Sequence, residues 1–189
     1  NTKQRLRFSK LNPAYKNNYK TKTENQKNGI KFEKEALLLF QEQESVKLLT
    51  YKGLPYSLPW IRHSDHSWLA TRPDGITTSG HLIEVKVRNR MINIKDTISL
   101  QDTIQCQIAL EITGLEKAIY LQYLPPKCST DKRCYYKYNI IERDRSYFYD
   151  HLSMVRNFMS NIHWEIVHSG VKVPDEVLEQ APYLMSSNF

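Results

Sequence analysis

The octapeptide HLIEVKVR, His81 to Arg88, constrains the chain more than any other stretch. In an extended backbone, Ile83, Val85 and Val87 project to one face while Leu82, Glu84, Lys86 and Arg88 project to the other. The apolar face is that of a buried strand, so the charges opposite it need an explanation. One account is an ion pair between Glu84 and Lys86 on a solvated sheet face. The other begins with the Pro-Asp-Gly turn at Pro73 to Gly75, because such a turn can bring the Asp74 carboxylate to the mouth of the neighbouring strand. Two carboxylates and an ammonium would then converge. That set can hold a hard divalent cation through oxygens and place a lysine beside an attacking water or a phosphate.

The surrounding pattern predicts an α/β sandwich around a mixed sheet. A helix starts at about Thr23, with Phe32, Ala36, Leu37 and Phe40 on one apolar face. Strand-like runs follow at residues 46–51, 68–72 and 81–88, separated by turns bearing Gly or Pro. A second helix fits residues 99–113, closed by Gly114, and further strands fit 118–124 and 135–141 before a long amphipathic helix at 147–166. Helix, strands, helix, strand is the order of a layered α/β domain. The reading takes residues 1–189 as a single domain: a basic N-terminal segment 1–28, a core over about 29–168 and a peripheral tail 169–189.

Composition supports one core and excludes some classes. With 40% hydrophobic and 11% aromatic residues, a 189-residue chain can close a core without disulfides or metals. No apolar run approaches the roughly 20 residues of a membrane span, and the N-terminus shows no hydrophobic secretory region, so neither membrane nor export is expected. Cys106, Cys128 and Cys134 fit neither a zinc knuckle nor a redox pair, which points to a reduced intracellular setting, cytoplasm or host nucleus. Charge is uneven: residues 1–31 hold nine Lys or Arg against Glu24 alone, +8 where the whole chain totals +7. This segment, interleaved with Phe8, Tyr15 and Tyr19, suits phosphate backbones, or else forms a solvated basic tail.

A Pro-Asp, gap, acidic-x-Lys pattern arises by chance in roughly one chain in twenty of this size, so it needs corroboration. Glu33 lies on the apolar face of the first helix, where a carboxylate needs a cation or a donor. Gln105 precedes Ile108, Ala109 and Ile112 on their shared face, and Gln107 lies about 200° away around the helix. Each taken singly also fits a buried polar group satisfied by backbone or water. His63, Asp65 and His66 lack a third metal ligand and read as a polar loop. Tyr135, Tyr136 and Tyr138 fit strand packing or base stacking. Cys128 and Cys134 bracket a hydrophilic loop, STDKR.

The succession NGIKFEKEA, WLATRPDG, HLIEVKV and QCQIALEITG resembles the lambda exonuclease and YqaJ-type viral recombinase family of PD-(D/E)xK nucleases over about residues 29–123. The resemblance implies a restriction-endonuclease-like mixed central sheet flanked by helices. It implies Mg²⁺- or Mn²⁺-dependent hydrolysis of DNA phosphodiesters, with two ions, 5′-to-3′ from duplex ends, in viral or phage-type recombination or DNA processing. Asp74 and Glu84 would be metal ligands, assisted by the Val85 carbonyl and by Glu33. Lys86 would orient or activate water, and Gln105 would support the site. RLRFS, with Arg5 and Ser9, is similar to the N-terminal motif that seats a 5′-phosphate in the family. Arg72 stands where the family carries a small hydroxyl residue, and as a guanidinium it would either grip the terminal phosphate instead or form a surface ion pair at the sheet edge. The implied partner is double-stranded DNA with free ends, with a homo-oligomer or a single-strand annealing partner as further associations. No iron-sulfur cluster is expected, because the four cysteines of such nucleases are absent. An endonuclease of the same fold, on DNA or RNA, and an inert nucleic-acid-binding module are the alternatives.

Overall fold

Phe32, Ala36, Leu37 and Phe40 recur at helical spacing and are all buried, which fixes how the first helix meets the sheet. The computed structural model describes residues 24–51, 53, 58–66 and 68–168. They fall in two compact units, one spanning Glu24–Arg145 and another that includes residues 146–168. The first unit contains helix α1 (Glu24–Gln43), strands β1 (Ile61–Arg62), β2 (Ala70–Thr71), β3 (Gly75–Ile76) and β4 (His81–Val87), helix α2 (Leu100–Thr113), and strands β5 (Lys117–Leu124) and β6 (Tyr135–Glu142). Helix α3 (Arg145–His168) leads into the second unit.

The main sheet has the order β3-β4-β5-β6, with β4 and β5 parallel and the outer pairs antiparallel. A parallel pair needs a crossover, and α2 supplies it. Both faces are covered. Ile83 and Val85 of β4 join Ile119, Leu121 and Tyr123 of β5 in a core with α1. On the opposite face Leu82, Ala118 and Tyr120 pack with Cys106, Ala109 and Leu110 of α2. This is the mixed sheet flanked by helices that the sequence predicts. Ser99 caps the start of α2 by accepting the Asp102 N–H at 3.2 Å, and Gly114 ends it in the left-handed region at φ 69°.

Two expected strands are shorter than their sequence pattern. Residues 46–51 form no extended strand, and Leu48↔Thr77 is an isolated bridge, because the neighbouring β3 is only two residues long. Of residues 68–72, only Ala70–Thr71 pair, with Ile61–Arg62 in a separate two-stranded sheet. Pro73 follows at once and cannot donate to a ladder.

Candidate active site

The turn that carries Asp74 is pressed against α1. A methyl group added at Gly75 would lie 3.2 Å from Leu37 Cδ2, so glycine is what lets helix and turn approach. Gly75 pairs with Ile83 and Ile76 with Leu82, and one further step of that register sets Asp74 across from Glu84. Asp74 Oδ2 accepts the Val85 N–H at 2.8 Å, tying the turn to the middle of β4.

The charged face of β4 looks onto the N-terminal half of α2. Lys86 Nζ donates to Glu84 Oε1 and to Gln105 Oε1, both at 2.8 Å, and lies 3.4 Å from Asp102 Oδ1. Gln105 Nε2 closes the triangle by donating to Glu84 Oε1 at 2.6 Å. Burial would lower the Lys86 ammonium, but the hydrogen bond and charge of Glu84, followed by Asp102, hold it above its ordinary value. Asp102 accepts from Tyr120 OH at 2.7 Å and from Ser99 Oγ at 2.8 Å. Burial opposes its ionisation, yet those hydrogen bonds and Lys86 keep its carboxyl below the usual range.

The network continues where sequence reasoning did not follow it. Tyr120 OH accepts from Arg88 Nη2 at 2.6 Å, and Gln122 Oε1 accepts from Arg88 Nε at 3.3 Å and Nη2 at 3.1 Å. Gln122, with 0% exposure, also holds the loop after β4 through the Lys95 N–H at 3.2 Å and the Lys95 carbonyl at 2.7 Å. The one signal for Asp102 was its capping position three residues after Ser99.

Glu33 is half-buried on α1, and after burial and Glu84 its charge also helps to raise the Asp74 carboxyl, so it belongs to the same electrostatic neighbourhood. Gln105 is exposed at the site rather than turned into a core, but its amide is the bridge between Glu84 and Lys86. Gln107 points elsewhere: it donates to the Glu142 carbonyl at 2.8 Å and accepts the Asp144 N–H at 2.9 Å. Replacing each glutamine by alanine should therefore separate activity from stability. Gln105→Ala should lose hydrolysis by about tenfold or more with little change in Tm, since it bonds two charged groups. Gln107→Ala should keep activity and lose about 1–3 kcal/mol, the cost of two stranded backbone groups, measured by denaturant unfolding. The opposite ranking would mean that Gln107 serves the site.

Arg72 is exposed and has no hydrogen bond or ion pair among the described residues. Arg5 and Ser9 lie outside the described residues. His63 is structural: its Nδ1 accepts the Asp65 and His66 N–H groups at 3.0 and 3.2 Å, and its Nε2 lies 3.6 Å from Glu111. Tyr136 and Tyr138 set their rings edge-on to Phe40 and donate to Glu44, which is the packing reading of the tyrosine strand. Cys106, Cys128 and Cys134 are free thiols, and burial followed by the charge of Glu84 pushes Cys106 up to about 12, so it is inert.

The donor chemistry fits a hard cation. Among the described residues, Asp74 Oδ1 and Glu84 Oε2 have no hydrogen-bond partner, while their other oxygens are engaged. Burial first, and Glu84 second, raise the Asp74 carboxyl to about 7, against the Val85 N–H, which lowers it. A divalent cation would relieve that repulsion. Among the described residues no three His, Cys, Asp or Glu side chains form a complete cation cage. Mg²⁺ does not need one, since it keeps several waters and takes one or two carboxylates plus phosphate oxygens.

Asp74 therefore predicts a pH effect on the metal-free protein. Its folded value of about 7 lies above the ordinary 3.8, so the folded state holds the proton where the unfolded state has lost it. The resulting stability is fully present below the unfolded value and is lost as pH rises through 7. In EDTA, the protein should be more stable at about pH 6 than at about pH 8 by about 1 kcal/mol, or about 2–4 °C in Tm. Saturating Mg²⁺, or Asp74→Asn, should abolish the difference. A metal-free Asp74→Asn variant with the wild-type pH dependence would assign the effect to another group.

No protein-family model matches the chain, and no curated protein does. Among solved structures, the alkaline exonuclease LHK-Exo from Laribacter hongkongensis aligns with a TM-score of 0.63 at 19% identity, covering 84% of this chain and 74% of that one. The same enzyme in complex with dAMP gives 0.65 at 18%, covering 87% and 77%. The likeness is one of fold. The chain has the restriction-endonuclease-like α/β fold that the motif resemblance implies.

Proposed function

We propose that this chain, which shares the fold of an alkaline exonuclease, is a Mg²⁺- or Mn²⁺-dependent deoxyribonuclease that degrades linear duplex DNA from its ends in the 5′-to-3′ direction. The observation that carries the reading is the facing pair of Asp74 and Glu84, each with an oxygen free among the described residues, beside an ammonium held by Glu84, Gln105 and Asp102. Asp74, Glu84, Glu33 and the Val85 carbonyl would hold the cations, which supply charge neutralisation on the phosphate and acidify bound water. Lys86, cationic and braced by Glu84 and Gln105, would turn its third N–H, which faces Asp102 at the longer distance of 3.4 Å, to the attacking water or to a non-bridging phosphate oxygen. Gln105 keeps both Glu84 and Lys86 in place. Hydrolysis then adds water across a P–O bond, leaving a phosphate monoester and a hydroxyl. The complex of the fold neighbour with dAMP supports a deoxyribonucleotide substrate. An inert binding module has no use for this set, since an Asp74 carboxyl raised first by burial and then by the charge of Glu84 costs stability when ionised.

Polarity is tested by label release from linear duplexes labelled at the 5′ or the 3′ terminus. Early release of the 5′ label is expected, and early release of the 3′ label would reverse the polarity. Arg72 refines the test. Its guanidinium, unpaired among the described residues, stands two residues before Asp74, roughly 7 Å back along an extended chain, within reach of a terminal phosphate. Arg72→Ser should lose about tenfold of the preference for 5′-phosphate over 5′-hydroxyl ends while keeping basal cleavage. Equal loss on both ends would place Arg72 in general DNA binding.

A further inference from the structure

Past Asp102, the polar face of the sheet opens into a cleft of ≈ 440 Å³ at the C-terminal ends of β4 and β5. In an α/β sheet that end of the parallel strands is where ligands are usually held. Phe32 of α1, Arg88, Asn89 and Lys95 after β4, Asp102 of α2, and Lys127 after β5 line it. Three cations thus face one carboxylate, and that carboxylate is already engaged with Lys86, Tyr120 and Ser99.

Arg88 is the informative residue. Its guanidinium is held by the amide oxygen of Gln122 and the hydroxyl of Tyr120, both neutral, so it is fixed in place without being neutralised. Its Nη1 has no partner among the described residues, and neither does the ammonium of Lys95, whose backbone Gln122 pins on both sides. The ammonium of Lys127 lies 4.8 Å from the centroid of the Phe32 ring. A half-buried, immobilised and uncompensated guanidinium beside two lysines is suited to a phosphate, which it can grip through paired hydrogen bonds.

We propose that this cleft is a second phosphate subsite, anchored by Arg88 and Lys95, which takes a backbone phosphate of the same DNA away from the scissile linkage. The identity of the ligand rests on the nuclease reading. The two sites are physically joined, because the phenol that holds Arg88 donates to Asp102, which in turn lies 3.4 Å from Lys86. The hydrogen-bond chain Arg88, Tyr120, Asp102, Lys86 therefore links the grip on the backbone to the group that acts at the phosphodiester.

The test is binding of a short fluorescent duplex in EDTA, followed by anisotropy over a range of salt. Wild type, Arg88→Gln and Lys95→Gln are compared with Lys117→Gln, a control at the opposite end of β5, and Tm checks each fold. Each cleft variant should bind about tenfold more weakly at low salt, and its slope of log K against log salt should fall by about one. The control should match wild type. Lys95 is exposed, so its variant tests the subsite even if Arg88→Gln fails to fold. Wild-type affinity and slope in the cleft variants, or no DNA binding by wild type, would overturn the subsite. Reduced slopes in a protein that hydrolyses no DNA with Mg²⁺ would keep the subsite and overturn the nuclease reading instead.

Discussion

Asp74→Asn, Glu84→Gln and Lys86→Ala should each reduce Mg²⁺-dependent DNA hydrolysis by at least about 10²–10³-fold while the protein stays folded and binds DNA. The magnitude is that of removing a fixed group which meets developing charge in the transition state. The first two changes are near-isosteric. An asparagine at 74 can still accept the Val85 N–H through its amide oxygen, and a glutamine at 84 can still accept from Lys86. Both remove an acidic group from a pair in which burial, and then the charge of Glu84, raises the Asp74 carboxyl, so the fold should gain slightly where the chemistry fails. Lys86→Ala deletes the ammonium between Glu84, Gln105 and Asp102 and leaves two carboxylates facing one another across the gap. Label release under single-turnover conditions, with circular dichroism and DNA binding alongside, reads these effects. Substantial turnover in any of the three would remove that residue from the mechanism.

The largest stability effect is expected away from the site, at Arg143. Its Nη2 and Nε donate to Glu111 Oε2 at 2.6 and 3.2 Å, and the two side chains are only 12% and 6% exposed. Glu111 sits in the buried run at the end of α2, and its other contact is His63 Nε2 at 3.6 Å. Arg143→Met should therefore strand a buried carboxylate and cost about 3–5 kcal/mol, because breaking one side of such a pair exposes the full desolvation penalty of the other. In Tm this amounts to roughly 6–20 °C. Adding Glu111→Leu should recover most of the loss, since an apolar pair of similar volume is often no worse than the ion pair. Thermal unfolding of the single and double variants measures both, and a double variant no more stable than the single would mean that the pair stabilises the fold in its own right.

How much of this could be read from sequence depended on whether the partners were local. The alternation of Ile83, Val85 and Val87 with Glu84 and Lys86 was legible because both faces of β4 are covered, one by an apolar layer and one by the site. The boundaries of α2 were legible because Ser99 and Gly114 are local caps. The turn that sets Asp74 across from Glu84 was legible, whereas Gln105, expected to face inward with Ile108, Ala109 and Ile112, is exposed beside Glu84 and Lys86. Asp102 was not, since a carboxylate three residues after a capping serine has a sufficient local explanation. Only the position of β5 brings Tyr120 onto it. Tyr120 and Gln122 were hidden for the same reason, in a strand that is buried at every position after Lys117 and whose polar partners lie about 18 to 34 residues away in sequence. Strands β1, β2 and β3 are two residues each, too short for any periodic signal.

Cation-dependent hydrolysis from DNA ends is assigned to the Asp74, Glu84 and Lys86 site. It is tested most directly by incubating the protein with end-labelled linear duplex and with covalently closed circular duplex, each in Mg²⁺ or in EDTA. Progressive loss of the linear DNA in Mg²⁺ alone is expected, with the circle intact under both conditions. Cleavage of the circle would contradict action from ends, and an intact linear duplex in Mg²⁺, or its loss in EDTA, would contradict the assignment of this site as a cation-dependent nuclease.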